Sequence, residues 1–129
     1  MVEKVKSFST TDVIMALLVF LPKRFPNDPP KIHSTIARLQ KREEYKDLLK
    51  EFEFVNYPRF PFSSLLERIL NELKGAGGFI NTLSPDYKEC IIRDDSREAI
   101  RKEVLPKFTR QQQDNLRKLA SELKSALGC

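Results

Sequence analysis

Apolar positions recur with helical spacing through most of this chain. From Val13 to Leu21 nearly every residue is apolar, which predicts a helix whose neighbours must enclose it on almost every side. Ser9, Thr10 and Thr11 precede it as candidate N-caps. With four prolines, PKRFPNDPP reads as a loop. Pro29 or Pro30 suits the first turn of a following helix, where a missing N–H is harmless. Ile32, Ile36 and Leu39 make one inward stripe there. Tyr45, Leu48, Leu49 and Phe52 continue an apolar face, but with a phase break near Arg42, so two helices or one bent helix are expected. FEFVNYPRFPF alternates aromatic residues, and its two prolines keep it out of a sheet centre, so it reads as a short extended segment.

The strongest pattern follows. Leu66, Ile69, Leu70 and Leu73 form a buried stripe, with Leu65 at its edge. Ser64 and Glu67 have the spacing of a capping box, and Gly75, Gly77 and Gly78 end the helix. FINTLS and YKECII alternate around Pro85-Asp86 as a hairpin. Asp95 or Ser96 can cap REAIRKEVL, which Pro106 stops. Thr109 and Gln112 give a second capping-box spacing ahead of Leu116, Leu119, Leu123 and Leu127. The predicted fold is mainly α: a winged helix-turn-helix with a small β-hairpin wing and additional C-terminal helices. Residues 1–95 form the winged-helix domain, and 96–129 a helical extension that packs on it or dimerises.

Two stretches, ARLQK at Ala37–Lys41 and FEFVNYPRFPFSSLLERILNELKGAGGFI at Phe52–Ile80, resemble small YwgA-like winged-helix proteins of bacteria and archaea. Those carry an Arg-Leu-Gln-Lys-like element, an aromatic segment ending in Gly-Pro, and a helix closed by glycine. This chain has Phe60-Pro61 in place of Gly-Pro and an extra glycine in GAGGFI. The resemblance implies a winged-helix fold and, beyond the fold, a regulator.

That expectation gives the outward residues a role. A recognition helix presents its N-terminal half to base edges. Arg68 suits a guanine and Asn71 an adenine. Ser63, Ser64 and Arg59 suit phosphates at the helix start, where backbone N–H groups favour anions. Lys31, Arg38, Lys41 and Arg42 lie in a run without an acid, and with Lys88 on the hairpin they are the electrostatic support. Double-stranded DNA is therefore the expected partner, and transcriptional or mobile-element regulation the expected role.

Charge tempers this picture. The formal net charge is +5, which permits nucleic acid without demanding it. Residues 96–129 hold eight Lys/Arg against four Asp/Glu, while residues 1–95 hold fifteen against fourteen. Between Phe62 and Lys74, Glu67 and Glu72 cancel Arg68 and Lys74. On the hairpin, Asp86 and Glu89 outweigh Lys88. The alternative is a non-enzymatic protein-interaction module on the same scaffold, with Phe54, Tyr57, Phe60 and Phe62 either plugging the core or anchoring a partner. The C-terminal leucines either form a homodimer seam or cover the first helix. Arg110, Arg117, Lys118 and Lys124 then make a solvated basic face.

An enzyme is not expected. His33 is the lone histidine, and its neighbour Ser34 cannot face it on a helix. Cys90 alternates with Ile92 on a strand and reads as buried and inert. Asp94 and Asp95 fit a helix start. No CxxC or Cys/His cluster calls for a metal, and GAGGF lacks the residues of a phosphate loop, so no cofactor is expected. Lys4 and Lys6 ahead of an apolar run imitate a signal peptide, but Asp12 abuts the run and PKRFP follows it. The run is too short for a bilayer, and a cytoplasmic protein with no membrane partner is expected.

Overall fold

A computed structural model describes residues 8–56, 59–75, 80–83 and 88–129. Lys4, Lys6, Tyr57, Gly77, Gly78 and the Pro85-Asp86 turn discussed above lie outside them. In chain order the elements are α1 (Thr10–Phe20), β1 (Arg24–Pro26), α2 (Pro29–Leu39), a 3-10 turn (Glu43–Tyr45) and α3 (Lys46–Leu49). Then come β2 (Val55–Asn56), β3 (Pro61–Phe62), α4 (Ser64–Lys74), β4 (Ile80–Leu83) and β5 (Glu89–Ile92). A second pair of helices, α5 (Asp94–Glu103) and α6 (Arg110–Leu127), is joined by a 3-10 turn at Leu105–Lys107. The protein is mainly helical with a small antiparallel sheet.

α1 behaves as its composition requires. Val13, Ile14, Ala16, Leu17, Leu18 and Val19 are all buried, and α6, α5, α3 and α4 each supply part of the cover. Ser9 and Asp12 close its N-terminus reciprocally, at 2.9 and 3.1 Å, and Lys107 reaches the same Asp12 carboxylate at 3.1 Å. At the other end Arg97 donates to the carbonyls of Leu18 and Leu21. Those carbonyls have no partner within the helix. No helix among the described residues is long and apolar enough to cross a membrane.

The phase break near Arg42 is a real one. α2 ends at Leu39, and Gln40 donates from Nε2 to the carbonyls of Leu49 and Phe52, stapling the segment after α3 to the end of α2. Pro29 and Pro30 do occupy the first turn of α2, behind Asp28 as N-cap.

PKRFPNDPP is not wholly a loop. Arg24, Phe25 and Pro26 form β1, which pairs antiparallel with Ile91, Cys90 and Glu89. Pro26 is tolerated because β1 is an edge strand in the order β1-β5-β4. The expected hairpin is the remainder of that sheet, with Ile80 opposite Ile92 and Thr82 opposite Cys90. FEFVNYPRFPF folds on itself, Val55 opposite Phe62 and Asn56 opposite Pro61.

The C-terminal seam is internal. Leu116, Leu119, Leu123 and Leu127 are 0 to 5 % exposed, and α6 packs on α1 and α2. A dimer through these leucines would need side chains that the chain's own core already covers. Arg110, Arg117, Lys118 and Lys124 lie on the exposed side, where Arg117 sits 4.9 Å over the Phe20 ring. One continuous cluster joins residues from α1 through α6, so residues 96–129 share a single core with what precedes them.

Candidate nucleic-acid interface

α4 carries the amphipathic stripe its sequence demands. Leu66, Ile69, Leu70 and Leu73 are buried, while Ser64, Arg68, Asn71 and Glu72 are exposed. The N-cap is Ser63, one residue before the expected Ser64, and its Oγ accepts the Leu66 N–H at 3.1 Å. Ser63 is fully buried. It cannot hold a phosphate, because its side chain is spent on the helix start and has no opening to solvent.

The capping box predicted between Ser64 and Glu67 does not form, because Glu67 turns elsewhere. His33 projects from the inner side of α2 and is fully buried. Its Nδ1 accepts the Ser63 N–H at 3.1 Å. That fixes the ring proton on Nε2, which donates to Glu67 Oε1 at 3.0 Å. Phe62 stacks on the imidazole, with centroids 4.8 Å apart and planes 8° from parallel. Phe54 meets it edge-on at 6.5 Å. One side chain of α2 thus ties down the first turn of α4 through two hydrogen bonds and a ring stack. At the far end Lys74 donates to Asn27 Oδ1 at 2.8 Å. The sequence offers His33 no partner in its neighbour Ser34. Its partner Glu67 is 34 residues away, so no local pattern reveals the pair.

Above this clamp lies a shallow groove of about 540 Å³, lined by Phe62, Ser64, Glu67, Arg68, Asn71 and Glu72. The structure therefore brings together Ser64, Arg68 and Asn71 on one open face. It does not bring Arg59 or Lys88 to that groove. Arg59 is exposed between β2 and β3, and Lys88 is exposed just before β5, where its carbonyl accepts the Asn27 N–H at 2.8 Å.

The basic run of α2 divides. Lys31, Arg38 and Lys41 are exposed, the first two at helical spacing on the solvent side of α2 and Lys41 just past its end. Arg42 is different: its guanidinium donates to Glu122 of α6 at 2.9 Å, and that carboxylate makes the guanidinium hold its proton more firmly than usual. Arg42 is thereby neutralised as an electrostatic support, and the usable cations are three. Arg38 and Lys41 border a second groove of about 410 Å³ between α2 and the β2–β3 hairpin. Pro61 edges this groove and Phe62 the first, so the two meet along β3.

Among the described residues no three of the His, Cys, Asp and Glu side chains are grouped to hold a metal ion. Cys90 is buried, and burial pushes its thiol up while Lys74 pulls it down less strongly. Asp94 and Asp95 occupy the first turn of α5, paired with Lys23 and Arg93.

Comparison with known proteins finds no matching family, no similar curated protein and no similar solved structure.

Proposed function

We infer that this chain is a winged-helix protein that binds double-stranded DNA without catalysing a reaction, as a transcriptional or mobile-element regulator. The observation that carries the reading is the exposed face of α4, where Ser64, Arg68 and Asn71 stand together on a helix clamped from below by His33. The β1-β5-β4 order supports it, since a short strand after the first helix joins the returning hairpin beside α4. The resemblance of Phe52–Ile80 to YwgA-like proteins points the same way.

The division of labour follows from charge. Glu67 and Glu72 outnumber Arg68 on the α4 groove, so α4 contributes hydrogen bonds to base edges and not phosphate neutralisation. Phosphate neutralisation falls to Lys31 and Arg38 on α2 and to Lys41 just past its end. The test is an anisotropy titration against mixed-sequence duplex DNA at two salt concentrations. Affinity should fall steeply with salt, and Lys41→Ala should flatten the logarithmic slope by about 1. Arg68→Ala should weaken the preferred duplex by about 1–3 kcal/mol. No association even in dilute buffer would leave the alternative, a protein-interaction module using the same face.

A further inference from the structure

Open grooves of 410 Å³ or more on the described surface include three that carry carboxylates: Asp47 and Glu51, Glu67 and Glu72, or Glu44 and Glu122. The groove between α2 and the β2–β3 hairpin carries none. Its polar lining includes Arg38 and Lys41, with Ser34 and Asn56, over an apolar floor of Phe54 and Pro61. Both cations are exposed. Neither side chain is engaged in an ion pair or hydrogen bond among the described residues, whereas the neighbouring Arg42 is spent on Glu122.

The floor is rigid. Phe54 is half-buried, wedged edge-on to His33 at 6.5 Å and tilted against Phe52 at 6.4 Å. Part of its surface still faces the groove. Two unpaired cations beside an aromatic surface, with hydroxyl and amide groups between them, match a ligand that carries an anion at one end and a flat ring at the other. The groove's size suits such a ligand, since small-molecule pockets start at about 300 Å³.

We propose that this groove binds a phosphorylated nucleoside unit, its phosphate on Arg38 and Lys41 and its base against Phe54. The unit is either a free nucleotide or one residue of a single strand, since both present the same chemistry. This site shares Arg38 and Lys41 with the duplex contacts proposed above but none of the α4 groove residues, and it stands whether or not α4 reads a duplex.

The experiment is a titration of the full chain with dAMP, inorganic phosphate and an eight-residue oligothymidylate, followed by NMR. dAMP should bind at least about tenfold more tightly than inorganic phosphate, because stacking adds to charge. Its base protons should move upfield over the Phe54 ring. Arg38→Ala with Lys41→Ala, at exposed positions that leave the core intact, should weaken dAMP more than tenfold. Phe54→Leu should weaken dAMP but not phosphate. If that variant fails to fold, the upfield shift on the unaltered chain decides the same point. Arg68→Ala should change none of these numbers, which separates this site from the α4 reading. Equal affinity for the strand and dAMP assigns the site to free nucleotides, and a tighter strand assigns it to single-stranded nucleic acid. dAMP that binds no better than phosphate, or without an upfield shift, overturns the proposal.

Discussion

Replacing His33 by phenylalanine should unlock α4 from α2. The substitution keeps an aromatic ring against Phe62 but deletes both hydrogen bonds of the imidazole, at 3.1 Å from the Ser63 N–H and 3.0 Å to Glu67. The two losses are unequal. Ser63 is fully buried, so its N–H is left without a partner, at a penalty of about 1–3 kcal/mol. The Glu67 side chain is 36 % exposed and can turn to water, so its bond is worth about 1 kcal/mol. Together they come to roughly 2–4 kcal/mol, a large share of the roughly 5–15 kcal/mol that holds a domain folded. With a urea slope of about 2 kcal/mol per molar, the midpoint should fall by about 1–2 M at unchanged slope. Glu67→Gln retains an oxygen to accept the Nε2–H and should lose about 1 kcal/mol or less. Urea unfolding followed by circular dichroism measures both. A His33→Phe midpoint within about 0.3 M of the parent, or a Glu67→Gln loss as large as that of His33→Phe, would show that His33 does not secure the first turn of α4.

Other consequences are as open to measurement. Leu119 is fully buried where α6 meets α1 and α2, so Leu119→Ala should destabilise the fold by about 2–5 kcal/mol without changing the sedimentation coefficient; a dimeric parent that this substitution splits would refute the intramolecular seam. Cys129 is exposed and Cys90 buried, so a thiol reagent should modify Cys129 at once and Cys90 only on unfolding; equal rates would contradict the packing of β5. Burial, aided by Glu122 and Glu44, pushes the Tyr45 phenol up. The unfolded chain therefore releases that proton first, and stability should fall as pH rises through about 10. Tyr45→Phe lacks this contribution, so its urea stability should decline less between neutral and alkaline pH; an identical decline would assign the loss to other groups.

What the sequence disclosed was local, and what it hid was pairing across distance. The α4 stripe was legible because Leu66, Ile69, Leu70 and Leu73 repeat at the helical period against a polar background. The Thr109–Gln112 box was legible because its two partners are three residues apart. β1 was not, because Arg24, Phe25 and Pro26 have no strand periodicity of their own and pair with residues more than sixty positions later. The helix start was misplaced by one residue because consecutive serines offer two N-caps. Glu67 decides between them by going to His33 on another helix. The outward set Ser64, Arg68 and Asn71 followed from the stripe alone. The loss of Ser63 and Arg42 as candidate DNA contacts came from burial and from Glu122 on α6, neither of which nearest neighbours reveal.

The enclosure of α1 carries a consequence for how the protein is made. The greasiest segment leaves the ribosome before α5 and α6, which shield much of it, have been translated. A nascent chain stopped before Arg110 therefore displays a nine-residue oily stripe, Val13 to Leu21, with half its shelter missing. Such truncations should be captured by holdase chaperones or precipitate, and the native state should form only once the carboxyl-terminal rod is free to swing back across the opening helix.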